Sequence, residues 1–304
     1  MNFYKNWLIA LDMSDTDQYI FSNLVKLEKE LKPERLTFLH VVHPADLPRE
    51  VLSDIPDLNE PELRFYENRI QQYINESGIT TPYDIEVREG HALTVILQLT
   101  QDLENDLVVV GKKGNEGLVE RKIARKSGIS ILFVPEKEME FQHVLVPVDF
   151  SEHSLQAMHV AESLHKHTSC LTVYRDSSKY INQVAETVDE VEEILVKRNL
   201  LDQKLATYTE HKLKEFVEPF RAINPDCFIE GINKSTDIGQ SILKWASNHP
   251  ADMIIIGARG KTAAAAALLG SVSERVYSGL TDRYLLVVKK PGENVGLIKA
   301  LLGK

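Results

Sequence analysis

The residues best placed to do chemistry lie in the second half of the chain. There Asp149 closes the apolar run Val144-Leu-Val-Pro-Val-Asp149, and a glycine-rich stretch opens directly after the apolar run Asp252-Met-Ile-Ile-Ile-Gly257. That stretch reads Gly257-Ala-Arg259-Gly260, then nine residues, then Gly270-Ser271-Val272. Glycine lets a backbone turn sharply and approach a ligand with no Cβ in the way. Gly270-Ser271 is expected to open a helix carrying Val272 and Val276, whose free N–H groups and positive dipole end favour anions. The Ser271 hydroxyl can donate to a phosphate oxygen or join the shell of a bound Mg²⁺. An acid at the end of a first strand, as Asp149 is, suits the hydroxyls of a ribose.

These residues need a scaffold, and the chain supplies one twice. The run Trp7-Leu-Ile-Ala-Leu-Asp12 matches the run ending at Asp149, and each is followed by a polar turn and an amphipathic helix. Ile20, Leu24, Leu27 and Leu31 share one helical face in the first half. In the second, Ala157, Val160, Ala161 and Leu164 do, with Ser151 as N-cap. Leu36–Val42 pairs in the same way with Cys170–Tyr174, Asp106–Gly111 with Asp252–Gly257, and Ile129–Val134 with Tyr284–Val288. Continuous β-branched runs indicate strands buried on both faces, and intervening helices supply the crossovers that parallel strands require. The expectation is an α/β protein of two tandem, doubly wound, Rossmann-like domains of about five strands each. The charged stretch Glu136–Glu140 separates them, giving domains 1–138 and 141–304. In open parallel sheets ligands bind beyond the carboxyl ends of the strands, which directs attention to Asp149, Val173, Tyr174 and the loop after Ile256-Gly257.

The pattern of Gly, two residues, Gly, nine residues and Gly-Ser after a buried strand resembles the ATP-binding motif of the universal stress protein family. The strand end Pro147-Val148-Asp149 and the Asp-x-Ile-Ile-Ile-Gly approach also match, and the resemblance covers nearly the whole chain as a tandem pair. It implies an adenine-nucleotide pocket built from Pro147, Val148 and Asp149, with Val173 and Ile256 lining the adenine and ribose region. Gly257, Arg259, Gly260, Gly270, Ser271 and Val272 would cradle the phosphates of ATP, ADP or AMP, with or without Mg²⁺. It further implies that the last strands of the two domains pair, forming an internal pseudo-dimer, with a further homodimer left open. The first half keeps Asp12, Val41, Gly111 and Gly114, but ten residues after Gly114 it has Ala124-Arg125 in place of Gly-Ser. It is expected to bind nucleotide weakly or not at all, its basic segment 117–126 being read as a solvated helix.

Elsewhere the chain is plainer. Formal charge is −10, from 45 acids and 35 bases, with no basic block, which argues against sequence-independent nucleic-acid binding. Cys170 and Cys227 are too few for a disulfide framework or a structural zinc site and are read as inert thiols. The first fifteen residues lack a signal-peptide pattern and no apolar run approaches a membrane span, so the expectation is a cytoplasmic protein that does not bind membranes. His165 and His167 are rejected as a metal pair because helical positions i and i+2 point apart. His40 is read as a core residue, and His43, His143 and His153 have no nucleophile beside them. Although Gly260-Lys-Thr262 looks like the end of a phosphate loop, Ile255 stands where its first glycine belongs.

Two long charged helices are expected over residues 179–222. Val184, Val188, Val191 and Leu195 form a helical stripe read as a packing face, and the tail 295–302 is read as docking on its own domain. An acidic, Pro-containing stretch, 44–62, sets the first half apart. Three functional readings follow: an ATP-binding regulatory protein of stress response with at most slow hydrolysis, an interaction scaffold with a vestigial pocket, and an adenylating enzyme. The last wants a catalytic Lys or Cys constellation that the sequence does not display.

Overall fold

The computed structural model describes residues 3–43, 60–112, 118–181, 183, 187–260 and 269–290, with the backbone alone for 60, 61 and 118. Val184, Gly114 and Gly117, most of the stretch 44–62, the Ala-rich segment 261–268 and the tail 295–302 lie outside the described residues. The protein is α/β, with a parallel-dominated sheet in a Rossmann-like arrangement. Two compact units are formed, one from Met1–Glu140 with Thr281–Lys304, the other from Phe141–Leu280.

The first unit runs β1 (Asn6–Leu11), α1 (Asp17–Leu31), β2 (Arg35–Val42), α2 (Glu60–Ser77), β3 (Tyr83–Glu89), α3 (Ala92–Asp102), β4 (Leu107–Gly111), α4 (Leu118–Lys126) and β5 (Ser130–Val134). The second runs β6 (His143–Pro147), α5 (Glu152–Leu164), β7 (His167–Arg175), a 3₁₀ turn, α6 (Val188–Val217), a second 3₁₀ turn, β8 (Asp226–Ile232), α7 (Ile238–Asn248), β9 (Met253–Gly257) and α8 (Ser271–Gly279). The last strand, β10 (Tyr284–Val288), belongs to the first unit. Strand order is β3-β2-β1-β4-β5-β10 in the first unit and β9-β6-β7-β8 in the second. Among the described residues the pairings within each unit are parallel except β10 on β5, where Leu286 is opposite Leu132.

Burial explains the strands. Every residue of β5, β9 and β10 is buried, as is every residue of β4 but its terminal glycine. The aspartate that precedes the fourth strand of each repeat ties down the start of the first. Asp106 accepts from the Lys5 and Asn6 amides at 2.7 and 3.1 Å. Asp252 accepts from those of Gln142 and His143 at 2.8 and 2.9 Å.

β10 is locked at both ends. The buried Tyr284 hydroxyl donates to Asn23 Oδ1 at 2.5 Å. Lys289, also buried, donates from Nζ to the carbonyls of Ala124 and Ser127 at the end of α4, satisfying helix-terminal acceptors.

Two long helices were expected over 179–222, but one helix of 30 residues occupies 188–217. Nothing within it breaks it: it holds neither Gly nor Pro, and Pro219 follows its end. Thr187 and Glu190 close its start in a capping box. Its stripe is also not the packing face expected of it, since Val188, Val191 and Leu195 are exposed.

Candidate functional site

The site is built at the carboxyl ends of β6, β7 and β9. Val148 is fixed on both sides: its N–H donates to Leu171 O at 2.8 Å, and its carbonyl accepts from the Thr172 hydroxyl at 3.1 Å. The chain then turns through Phe150, a left-handed residue with φ 64°. The Ser151 amide donates to Asp149 Oδ1 at 3.0 Å, and Ser151 Oγ caps α5 by accepting from the Ser154 amide at 3.2 Å. Asp149 is thereby held at an exposed strand end with its second oxygen directed at Gly260: a Cβ at 260 would meet Asp149 Oδ2 at 2.6 Å.

The other two glycines have different reasons. A Cβ at Gly257 would strike the backbone of His153 at 2.8 and 2.9 Å, so this glycine lets β9 approach α5. Gly270 has ordinary extended dihedrals (φ −76°, ψ 156°), and a Cβ there would meet nothing closer than 3.4 Å. Neither strain nor packing demands glycine at 270. As the N-cap of α8 it contributes no side-chain oxygen, so the first-turn amides are left to other acceptors. The Gly270 amide itself donates to Ala258 O at 2.7 Å, which holds the helix start against the loop after β9. Ser273 Oγ, buried, donates to Gly257 O at 2.7 Å and fixes the same junction from beneath.

Together these elements enclose a cavity of about 370 Å³ within the second unit. All eleven residues singled out in the sequence line it: Pro147, Val148, Asp149, Val173, Ile256, Gly257, Arg259, Gly260, Gly270, Ser271 and Val272. Six further described residues line it: Ser154, Leu171, Ile238, Ile242, Leu269 and Ser273. Ile238 and Ile242, four apart on α7, are on one helical face, a signal the sequence contained, but their approach to β7 depends on the crossover after β8. Its apolar lining comes from Leu171, Val173, Ile238, Ile242 and Ile256, and its polar lining from Asp149, Arg259, the glycines and the start of α8. A flat apolar ring system carrying hydroxyls and an anionic tail matches that division.

In the first unit the same turn is kept and the rest is altered. Met13 is left-handed (φ 62°), the Ser14 amide donates to Asp12 Oδ1 at 3.0 Å, and His40 Nδ1 bonds Leu11 O at 3.0 Å where Thr172 bonds Val148 O. Asp17, buried, stands where the second unit has Ser154 and accepts from the Met13 amide at 2.8 Å. Lys112, also buried, stands where the second unit has Ala258. Matching Ala124-Arg125 to Gly270-Ser271 by spacing is not upheld: both residues sit in the last turn of α4, not at a helix start. The reason is loop length, since six residues separate Gly111 from α4 and thirteen separate Gly257 from α8.

His165 and His167 do not share a helix. His165 is the left-handed C-cap of α5, and His167 opens β7, its Nε2 3.2 Å from Asp226 Oδ2. Cys170 is buried against the Met158 sulfur, and burial pushes its thiol pKa far up. Among the described residues no group of three or more His, Cys, Asp or Glu is arranged to hold a metal ion, and no helix is long and apolar enough to cross a membrane.

A model of the Universal stress protein family matches residues 3–135 and again residues 140–281. Among solved structures the chain is similar to a universal stress protein from Archaeoglobus fulgidus DSM 4304, at 18% identity and TM-score 0.63, covering 94% of this chain and 96% of that one. It is likewise similar to a functionally unknown protein from Pseudomonas aeruginosa PAO1, at 13% identity and TM-score 0.63, covering 99% and 97%. A putative universal stress protein from Pseudomonas aeruginosa UCBPP-PA14 matches at 14% identity and TM-score 0.61, covering 99% and 98%. At such identities the likeness is one of fold. No curated protein matches the chain.

Proposed function

The chain belongs to the universal stress protein family, and from that premise we propose that its second unit binds an adenine nucleotide and acts as a regulatory stress-response protein of the cytoplasm. The observation that carries this reading is the 370 Å³ cavity that Leu171, Val173, Ile238, Ile242 and Ile256 line together with Asp149 and the glycine-capped start of α8. In this reading Val173, Ile238 and Ile242 hold the base, and Asp149 accepts from ribose hydroxyls. Arg259, Gly260, Gly270, Ser271 and Val272 receive the phosphates of ATP, or of ADP or AMP, and the Ser271 hydroxyl is the group available to a Mg²⁺ shell.

The protein is read as a binder. Among the described residues Asp149 is the only carboxylate lining the cavity, and it is engaged with the Ser151 amide and assigned to the ribose, so none of them supplies a second carboxylate to activate water. The first unit is read as binding nucleotide weakly or not at all, because the six-residue connection from Gly111 to α4 is shorter than the thirteen residues from Gly257 to α8 that form the cradle, and the buried Asp17 stands where Ser154 lines the cavity of the second unit.

Ultraviolet absorbance and mass spectrometry of freshly purified protein, followed by calorimetric titration with ATP, test the proposal. Co-purified nucleotide, or binding at one site per chain that Ser271→Ala weakens, is the expected result. Two equal sites would overturn the assignment to the second unit, and no binding of ATP, ADP or AMP would overturn the function. A second reading, a scaffold with a vestigial pocket, is favoured by the uncovered apolar stripe of α6 and predicts that last outcome.

A further inference from the structure

Phe150 takes a left-handed backbone conformation, φ 64°, between the two partners of the bond that holds Asp149: the Ser151 amide donates across it to Asp149 Oδ1 at 3.0 Å. That conformation is costly for a bulky residue, because its Cβ crowds the carbonyl oxygen. It persists where the surroundings over-determine it. If Phe150 relaxed to negative φ, the Ser151 amide would swing out of reach and release the carboxylate. What keeps the turn closed lies far along the chain, on α6.

The second half of α6 grips the Phe150 side chain. The Phe150 ring meets that of Phe216 edge-on, with centroids 5.7 Å apart and planes at 77°. Lys212 Nζ lies over the same Phe150 ring, 4.8 Å from its centroid, and 5.6 Å from the centroid of Tyr208. Tyr208, Lys212 and Phe216 are four apart, so they form one row on the helix. The neighbouring row, Thr209, Leu213 and Val217, is buried and anchors them. Edge-on aromatic pairs and exposed cation–π contacts are each worth a factor of about two to ten. The first unit holds the equivalent turn by its backbone: Met13, with φ 62°, donates its amide to the buried Asp17 carboxylate at 2.8 Å. Ser154 stands at that position in the second unit, and there α6 takes hold of the side chain.

We propose that α6 positions Asp149 through Phe150: the Phe216 ring and the Lys212 ammonium keep residue 150 left-handed, and the turn so held aims the carboxylate at the ribose hydroxyls. Phe150, Lys212 and Phe216 are positioning residues. The ligand in this proposal rests on the nucleotide reading above, and the clamp rests on the geometry of Phe150 and α6 alone.

Two measurements on the full chain test the two parts. Without nucleotide, urea unfolding compares the cost of Phe216→Ala in the wild type and in Phe150→Gly. Glycine takes the left-handed conformation freely and offers no ring, so Phe216→Ala should cost less there. Equal costs would overturn the clamp. With nucleotide, calorimetric titration compares ATP with 2′,3′-dideoxy-ATP, which lacks both hydroxyls offered to Asp149. Phe216→Ala is expected to weaken ATP about tenfold and Lys212→Met about threefold, because fewer chains then hold the carboxylate in place. Dideoxy-ATP should bind the wild type and both variants equally. In Phe150→Gly, adding Phe216→Ala should leave the ratio of the two affinities where it was. Equal weakening of both ligands would mark a general loosening of the fold and overturn the proposal, as would the same change of ratio in both backgrounds or a wild type that binds the two ligands alike. A wild type that binds neither overturns the nucleotide reading and the positioning of a ribose with it, while the unfolding series still decides the clamp.

Discussion

Gly260 and Asp149 fit together so closely that a methyl group on the glycine would lie 2.6 Å from the carboxylate oxygen Oδ2. Gly260→Ala must therefore displace the carboxylate assigned to the ribose. The expected loss is about 1–3 kcal/mol of binding, roughly ten- to hundredfold in Kd. Gly270→Ala is the informative comparison. The site tolerates a Cβ, so stability should change by less than about 1 kcal/mol. The methyl would nonetheless lie 3.4–3.6 Å from Ala258, Arg259 and Gly260, between loop and helix start, and should weaken ATP binding about tenfold or more. Calorimetric titration beside thermal melting separates the two quantities.

Gly257 should behave in the opposite way. Its missing Cβ is replaced in space by the backbone of His153, which cannot move without shifting α5. Gly257→Ala is expected to cost about 1–3 kcal/mol of folding stability, read as a lowered urea midpoint, whether or not nucleotide is present. A variant with an unchanged midpoint and reduced affinity would show that the residue serves the ligand and not the fold.

This separation marks what a linear reading could reach. The repeated Asp-ended strands, the buried runs and the position of the glycine loop are all legible because burial on both faces writes itself as β-branched runs, and loop glycines stand out beside them. The reasons for individual glycines were not legible, since Gly257 answers to a helix more than a hundred residues earlier in the chain. The same holds for Asp106 and Asp252, whose carboxylates hold amides of β1 and β6. Motif spacing misplaced the first unit's counterpart of Gly270-Ser271 because it assumed equal loops, and loop length varies without disturbing the strands it joins. Periodicity also assigned the stripe of α6 to a packing face, because it reports which side of a helix is apolar and not where a neighbour covers it, and here Arg198 and Asp202, beyond that stripe, bond to Ile181 and Ser177.

Lys112 gives a pH-dependent signature. Burial lowers its ammonium pKa from the ordinary 10.5, against the opposing pull of Glu120 and Glu136. With the folded value below the unfolded one, the unfolded chain holds more of this proton between the two values, so the contribution to stability rises as pH climbs through that window. Lys112→Met is expected to melt above the wild type at neutral pH. The difference should narrow as pH rises toward 10.5, the ordinary value. A gap that stays constant or widens would show that the cation is well compensated where it lies.

Arg175 ends β7 two residues beyond Val173, and its Nη1 donates to the carbonyls of both Asn233 and Thr236, at 2.7 and 2.5 Å. That loop leads to Asp237, which caps α7, and so to Ile238 and Ile242 in the cavity's apolar lining. Removing the latch should loosen the base wall and leave the phosphate end intact, because Gly270 and Ser271 belong to a different element. Arg175→Ala is thus expected to weaken adenosine and ATP by the same factor, about tenfold for a loss near 1.4 kcal/mol, and Arg175→Lys to recover part of it. Ser271→Ala should weaken ATP and leave adenosine unchanged. The ratio of the two affinities in each variant is the decisive measurement: if Arg175→Ala changed that ratio as Ser271→Ala does, the guanidinium would be acting on the phosphates and the latch would have no part in selecting the base.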